Sequence, residues 1–255
     1  MQDHKEQSGE NEIPPCDIHG ADNMRTLAGS PICMACDSEE KRKERETYET
    51  SRMKEMKNKF RRDIDLPLRL QALNFENYKP VNKEAVKAYQ QCRDFCRNFD
   101  IAGGLVMIGS VGTGKTHLAV SICHELANIG KESKFATVAT IVREIKQSWS
   151  VNRNEKDSYG VPIPKDFESD IIDRYSNYPL LVIDEIGSQY GSDTEKIMIT
   201  EIINNRYNNL NPTIVLGNVT LSEVKDAITT RAVDRILHNG SLVVFDWESY
   251  RKETE

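Results

Sequence analysis

The segment Gly-Ser-Val-Gly-Thr-Gly-Lys-Thr at residues 109–116 constrains the fold of this chain more than any other part of the sequence. It matches the pattern G-x-x-x-x-G-K-[ST] and lies between the apolar run 104–108 and a segment with helical periodicity. In such a loop, glycines let the backbone N–H groups turn inward, and the next helix directs its positive end at a bound phosphate. The sequence therefore predicts a strand, a phosphate-binding P-loop and a helix in that order.

The loop residues predict a site for ATP and Mg²⁺. Lys115 is expected to reach the β- and γ-phosphates as a point charge, and Thr116 is expected to supply a hydroxyl ligand for Mg²⁺. The predicted nucleotide-binding set is Gly109, Ser110, Val111, Gly112, Thr113, Gly114, Lys115, Thr116 and His117.

Five short apolar runs separated by helical segments predict the fold class. They lie at 104–108, 134–140, 180–184, 213–218 and 242–247. Strands that alternate with helices are typical of an α/β fold in which helices cover both faces of a parallel sheet. A further helix is predicted before the first strand, over 83–99, with an apolar face that contains Val86, Tyr89, Cys96 and either Cys92 or Arg93.

The ends of two of these strands carry candidate catalytic groups. Asp184 ends a buried strand on the edge of the sheet where ligands bind, and it is expected to hold Mg²⁺ directly or through water. Glu185 is the expected base that orients the attacking water. Asn218 follows another strand, and its amide is expected to contact the γ-phosphate or that water. The alternative for Asp184 and Glu185 is an acidic pair that only caps a strand. The alternative for Asn218 is a turn residue at the end of its strand.

Arg231 and Arg235 are two further candidates, one helical turn apart. A positive charge supplied across a subunit boundary stabilises a transferring phosphoryl group, which would make ATP hydrolysis depend on assembly. The alternative is a solvated helix face on which the arginines pair with Asp234 or Asp226.

The N-terminal cysteines predict a zinc module. Cys16-x2-His19 and Cys33-x2-Cys36 are two ligand pairs separated by 13 residues, and four such ligands complete a tetrahedral site. Loose thiols are the alternative. The remaining cysteines are expected to pack in the core: Cys92, Cys96 and Cys123.

The chain divides by composition into four parts: a disordered tail at 1–15, the zinc module at 16–36, a charged helix and linker at 37–66, and the nucleotide-binding domain at 67–255. An apolar stripe on the charged helix suits either a partner's groove or packing on the zinc module, and it comprises Met53, Met56, Phe60 and Ile64. The polar insertion at 150–166 is either a disordered loop or a DNA contact through Arg153, Lys156, Tyr159 and Lys165.

Charge and hydropathy narrow the class of protein. The net charge of −6 argues weakly against a surface coated with non-specific DNA-binding charge. No apolar run approaches the ~20 residues of a membrane span, and the polar N-terminus lacks a signal core. We therefore expect a cytoplasmic protein without membrane contacts, in which the thiols stay reduced.

The order of these motifs resembles that of bacterial DnaC-type replicative helicase loaders. The resemblance rests on GSVGTGKTHLA, LLVIDEIGSQ, LGN and RAVDRILHNGSLVVFDWESYR, with LNFENY at 73–78 ahead of them, and it covers residues 68–251. It implies an AAA+ ATPase with a five-stranded parallel sheet, without a C-terminal lid, and with ATP bound between neighbouring subunits of a homo-oligomer. Asn218 then matches the sensor asparagine, and Arg231 and Arg235 match the arginine-finger region.

The resemblance also implies a function. Such loaders bind the replicative hexameric helicase through their N-terminal region and help place it on single-stranded DNA, with ATP as the switch. The zinc pattern departs from the best-known loaders and is closer to phage or prophage relatives. One alternative is an IstB-like transposition helper ATPase that acts on duplex DNA, and another is an adaptor that binds ATP but hardly hydrolyses it.

Overall fold

The computed structural model describes residues 16–20, 22–27, 30–101, 103–149, 167–187 and 192–250. The tail at 1–15 and the insertion at 150–166 lie outside this part of the chain. The chain divides into two compact units, Met1–Glu55 and Met56–Glu255, and the boundary between them falls within a long helix.

The first unit contains a two-stranded antiparallel sheet that the sequence pattern does not suggest. β1 (Met24–Leu27) pairs with β2 (Ser30–Cys33), and α1 (Met34–Asp63) begins directly after β2. The sequence predicts this helix from residue 37, and it begins one turn earlier. Of the predicted apolar stripe, Met53 is exposed, whereas Ile64 is buried in the core of the second unit.

The second unit is built on a five-stranded parallel sheet, as predicted. Its strands are β3 (Leu105–Gly109), β4 (Ser133–Thr137), β5 (Leu180–Asp184), β6 (Thr213–Gly217) and β7 (Ser241–Phe245). Their order across the sheet is β4-β5-β6-β3-β7. The carboxyl ends of all five strands therefore meet at one edge of the sheet, where side chains from distant parts of the sequence come together.

Alternate residues of each strand enter two hydrophobic clusters, one on each face of the sheet. Leu105 and Met107 pack on the face covered by α2 (Lys83–Arg97) and α3 (Lys115–Asn128). Val106 packs on the opposite face. The helices on that face are α4 (Val138–Trp149), α5 (Glu168–Asn177), α6 (Asp193–Asn208), α7 (Leu221–Ile228) and α8 (Thr230–Leu237). Helices on both faces explain why the strands read as continuous apolar runs.

Two predictions from periodicity are wrong in detail. The sequence predicts a strand to residue 140, but β4 ends at Thr137 and α4 begins at once. The reason is that the Thr137 hydroxyl accepts a hydrogen bond from the N–H of Thr140 at 3.1 Å, as an N-cap does. On α2, Val86 is exposed, and the buried face consists of Ala85, Ala88, Cys92 and Phe95. The face of α2 that packs on the core is therefore displaced from the predicted one, and it includes two alanines and Phe95, with Tyr89 and Cys96 partly buried beside them.

The core cysteines lie close to where the sequence places them. Cys92 and Cys123 are buried, as predicted, and Cys96 is partly buried. Burial raises the pKa of the Cys96 thiol to about 12, so this group stays protonated at neutral pH. Among the described helices, none is both long and apolar enough to cross a membrane.

Candidate functional site

The P-loop joins the carboxyl end of β3 to the first turn of α3. Lys115 donates hydrogen bonds from Nζ to the carbonyl oxygens of Gly109 at 2.8 Å and Ser110 at 2.6 Å. These bonds hold the ammonium group against the loop. Burial lowers the pKa of Lys115 to about 8, whereas the Asp184 carboxylate acts in the opposite direction. The site therefore presents a partly desolvated positive charge at the end of the sheet where anions are expected.

Gly114 connects this loop to a segment that precedes the sheet. It caps α3 with a φ of 97°, in the left-handed region that favours glycine. A Cβ atom at this position would lie 2.8 Å from Cε2 of Tyr78. Glycine is therefore required twice, by the backbone conformation and by the tyrosine ring that lies against it.

Asp184 lies beside the P-loop helix at the end of β5. Its Oδ2 atom accepts a hydrogen bond from the Thr116 hydroxyl at 3.2 Å, and its Oδ1 atom accepts one from the N–H of Glu185 at 2.7 Å. Burial raises the pKa of Asp184, while both hydrogen bonds oppose that shift. Glu185 itself is exposed and has a φ of 65°. A hydroxyl and a carboxylate at this separation form a pair of oxygen donors of the type that Mg²⁺ binds.

These groups face a single cavity of about 830 Å³. Ten of the predicted residues line it: Val111, Gly112, Thr113, Gly114, Lys115, Thr116, His117, Asp184, Glu185 and Asn218. Gly109 and Ser110 lie at the start of the loop instead, where Ser110 donates its N–H to the carbonyl oxygen of Phe245 at 3.2 Å. The side chains predicted from three separate strands therefore converge on one space large enough for a nucleotide.

The other walls of the cavity are largely missed by reasoning from the motifs. They come from the segment 67–81 and from the residues that follow β7, and they include Pro67, Arg69, Leu70, Leu73, Asn77, Tyr78, Lys79, Val81, Trp247 and Tyr250. The N–H of Tyr250 donates to the carbonyl oxygen of Gly112 at 3.1 Å, which brings the last described residues back to the P-loop. The sequence runs LNFENY and WESYR contain several of these wall residues, but the spacing of the residues in them does not correspond to a known binding motif.

Neither candidate arginine lines the cavity of its own chain. Arg231 is exposed in the first turn of α8, and no described residue forms a hydrogen bond or ion pair with its guanidinium. Arg235 lies one turn further on, donates to Asn204 and stacks over the ring of Tyr207 at 5.3 Å. It borders a second cavity, of about 510 Å³, together with Gly104. Because Gly104 precedes β3, Arg235 lies toward the opposite edge of the sheet from the P-loop.

The N-terminal unit brings the four predicted metal ligands together. The ligand atoms of Cys16, His19, Cys33 and Cys36 all lie within 4.8 Å of one another. The Sγ atoms of Cys16 and Cys36 are 3.7 Å apart, and Nδ1 of His19 is 3.6 Å from Sγ of Cys33. Ligands at Zn–S distances of about 2.3 Å in a tetrahedron have separations of about 3.7 Å, so the donor set fits zinc.

Hydrogen bonds from the backbone and between the thiols shift the pKa values of two cysteines in opposite directions. Backbone N–H groups of Ile18 and His19 lower the pKa of Cys16 to about 6, and hydrogen bonding with Cys16 raises that of Cys36 to about 12. Sequence reasoning missed one neighbour. Oε1 of Glu39 lies 3.5 Å from Nε2 of His19, on the side of the ring away from the cysteines. A carboxylate in this position orients a metal-binding histidine.

Comparisons with known proteins agree with the fold and the nucleotide cavity. The sequence matches the family model described as IstB-like ATP binding protein over residues 36–255. The replicative helicase loader DnaC of Escherichia coli (strain K12) is 35% identical over 203 residues, which cover 79% of this chain and 78% of that protein.

Two solved structures share the architecture. The crystal structure of the DnaC helicase loader has 27% sequence identity and a TM-score of 0.59, and the match covers 70% of this chain and 99% of that chain. The crystal structure of DnaI, at 19% identity, has a TM-score of 0.56 and covers 72% of this chain and 93% of that chain. The family match begins at residue 36, so most of the metal cluster lies outside it. The chain therefore belongs to the IstB-like ATP-binding protein family, with an AAA+ fold similar to that of the DnaC helicase loader.

Proposed function

We propose that this protein is an ATP-dependent loader of a replicative DNA helicase. The observation that carries the proposal is the 35% identity to the E. coli replicative helicase loader over 79% of this chain. In this proposal the N-terminal region binds the hexameric helicase, and the ATPase domain helps to place it on single-stranded DNA. Binding and hydrolysis of ATP switch the loader between the two tasks.

The proposed ATPase chemistry assigns one role to each group in the cavity. Lys115 binds the β- and γ-phosphates, and Glu185 accepts a proton from the attacking water. Asn218 orients that water or the γ-phosphate. Thr116 and Asp184 would hold Mg²⁺, which supplies charge that neutralises the phosphates. The 3.2 Å contact between Thr116 and Asp184 supports the last assignment.

The proposal also includes a homo-oligomer. Neither Arg231 nor Arg235 lines the cavity of its own chain. In the proposed oligomer, one of these arginines from a neighbouring subunit adds a positive charge near the γ-phosphate to that of Lys115. The free guanidinium of Arg231 supports this role most directly. For Arg235 the role requires that the guanidinium leaves its contacts with Asn204 and Tyr207.

Zinc is the proposed metal of the N-terminal unit. Three thiols and one imidazole are the ligands of a structural zinc site, and a module of this size buries too little apolar surface to be stable without it. A folded module followed by the charged helix α1 would then form the docking element for the helicase.

A binding experiment tests the loader function. The purified protein is mixed with the replicative helicase of its source organism, with and without ATP, and complexes are isolated and weighed by native mass spectrometry. We expect a defined complex that is lost when residues 1–65 are removed. Lys115→Ala should form the complex but not respond to ATP. Absence of a complex, together with ATP-dependent filaments on duplex DNA, would instead favour a transposition helper.

A further inference from the structure

The turn at residues 74–78 contributes to one wall of the nucleotide cavity, and His117 of the P-loop helix forms hydrogen bonds with it. His117 lies in the first turn of α3, two residues after Lys115. Its Nε2 atom is 2.9 Å from the carbonyl oxygen of Asn74 and 2.9 Å from Oδ1 of Asn77. Both partners lie about 40 residues earlier in the chain. These contacts therefore join the turn to a helix that is distant from it in sequence.

The direction of these hydrogen bonds follows from the network. Asn77 donates from Nδ2 to the carbonyl oxygen of Ala72 at 2.7 Å, and its Oδ1 atom accepts the N–H of Asn74 at 3.0 Å. Oδ1 is therefore an acceptor, as is the carbonyl oxygen of Asn74. Because both partners accept, Nε2 of His117 must carry the proton. Burial lowers the pKa of His117, so the ring is neutral at pH 7 and has no second N–H.

The turn itself is held in one shape by two asparagines. Oδ1 of Asn74 accepts the N–H of Asn77 at 2.9 Å, which makes the pairing between the two residues reciprocal. Such side-chain contacts with nearby backbone groups fix a turn in the absence of regular secondary structure. The turn is thus preformed, and what His117 adds is its position relative to α3.

The next residue carries this position to the phosphate-binding loop. The Tyr78 ring lies against the His117 ring, with centroids 5.1 Å apart and planes at 82°, and it stacks on Tyr89 at 5.9 Å. Its edge also approaches Gly114, where a Cβ atom would lie 2.8 Å from it. A shift of the turn would therefore move an aromatic ring that is in contact with both the P-loop and α2.

The segments that line the cavity differ in chemistry. Lys115, Thr116 and Asp184 supply polar groups, whereas the segment 67–81 supplies apolar surface from Pro67, Leu70, Leu73, Tyr78 and Val81 together with the polar side chains of Arg69, Asn77 and Lys79. Phosphates require the polar groups around Lys115, and the flat apolar faces of a purine base fit the apolar surface of the segment 67–81. A residue that positions the segment 67–81 would consequently affect the base more than the phosphates.

We propose that His117 is a positioning residue for the nucleotide base, acting through the turn at 74–78 and the Tyr78 ring. This inference rests on the proposed ATP site. It makes the histidine a determinant of binding to the nucleoside part of ATP, and it separates that role from phosphate binding by its neighbour Lys115.

The test compares ATP with inorganic tripolyphosphate, which has the phosphates but no nucleoside. Dissociation constants for both are measured by titration calorimetry on the full chain with Mg²⁺. His117→Phe keeps an aromatic ring against Tyr78 but removes the N–H. Loss of two hydrogen bonds from one donor should weaken ATP binding about tenfold and leave tripolyphosphate binding within about twofold. His117→Gln retains a donor near Nε2 and should restore most of the ATP affinity.

Two controls make the result specific. His238→Phe changes an exposed histidine that borders the second cavity, beside Gly104 and away from the segment 67–81, and it should leave both affinities unchanged. In the double variant His117→Phe/Asn77→Ala, ATP affinity should be little lower than in Asn77→Ala alone, because both side chains act through the same turn. Equal losses of ATP and tripolyphosphate binding in His117→Phe would overturn the inference, as would unchanged ATP binding. A wild-type protein that binds tripolyphosphate but not ATP would refute the proposed function itself, and with it this inference.

Discussion

Arg206 of α6 provides a sharp test of how the sheet is held together. The side chain is completely buried, and in the described part of the chain no carboxylate pairs with it. Its guanidinium instead donates to backbone carbonyl oxygens of Tyr175 at 2.8 Å, Tyr178 at 2.7 Å and Pro212 at 2.6 Å. Its Nε atom donates to the hydroxyl of Thr213 at 2.9 Å. One side chain thus connects the segments that lead into β5 and β6.

The magnitude follows from the carbonyl groups that the arginine satisfies. Tyr175 lies in the last turn of α5, where carbonyl groups lack partners within the helix. Replacement by methionine fills a similar volume but removes the donor from one buried and two partly buried carbonyl groups, at a cost of up to about 1–3 kcal/mol each. Removing a desolvated charge offsets part of that cost, since burial already lowers the pKa of Arg206 to about 9. We therefore expect Arg206→Met to lower the free energy of unfolding by about 3–5 kcal/mol.

Urea unfolding followed by tryptophan fluorescence measures this loss of free energy for the structural unit that contains Arg206. Both tryptophans, Trp149 and Trp247, lie in the unit Met56–Glu255, so their emission reports its unfolding alone. Arg143→Met is the matched control, because Arg143 is exposed on α4, and it should change the free energy of unfolding by less than about 0.5 kcal/mol. A loss below about 1 kcal/mol in Arg206→Met would refute the reasoning, because it would mean that the carbonyls find other partners.

Three further predictions concern the two sites. Raising the pH from 7 to 9 should weaken ATP binding about tenfold, because Lys115, with a pKa of about 8, is charged below that pH and neutral above it. The affinity is measured by calorimetry at saturating Mg²⁺. A constant affinity over this range would contradict the role of Lys115 in phosphate binding. Glu185→Gln should retain ATP affinity but lower phosphate release at least about hundredfold, and unchanged turnover would exclude it as the base. Glu39→Gln should lower Zn²⁺ affinity about 10–100-fold in competition with a chelator. Glu40→Gln, the adjacent exposed control, should not change it, and equal affinities in both variants would mean that Glu39 does not orient His19.

The central part of the fold could be predicted from sequence because several signals agreed there. Around residues 104–128, strand hydropathy, the glycine pattern and helical periodicity all indicated the same unit, and the structure confirms β3, the loop and α3. The prediction was less accurate where one residue type favours two structures. The β-branched run after β4 is typical of a strand, but the Thr137 hydroxyl caps a helix instead.

The walls of the cavity were beyond sequence reasoning for a different reason. Tyr78 and Tyr250 lie about 170 residues apart in the chain. Tyr78 reaches the P-loop at Gly114, and Tyr250 reaches it at Gly112. No periodicity encodes such contacts. The metal cluster is the opposite case, because short spacings brought all four ligands into the prediction, whereas Glu39 went unnoticed among the many acidic residues of α1.

The position of Asn218 shows how topology adds to a motif. Nothing in the residues around it has the specificity of the P-loop, and an asparagine after a strand is common in turns. The strand order, however, places β6 between β5, which ends in Asp184, and β3, which leads into the P-loop. The first side chain after β6 must therefore lie between the two groups proposed to bind the metal and the phosphates, and Asn218 does line their cavity. Arg235 illustrates the converse, because it borders a different cavity together with Gly104, which precedes β3 and so lies at the opposite edge of the sheet from the P-loop.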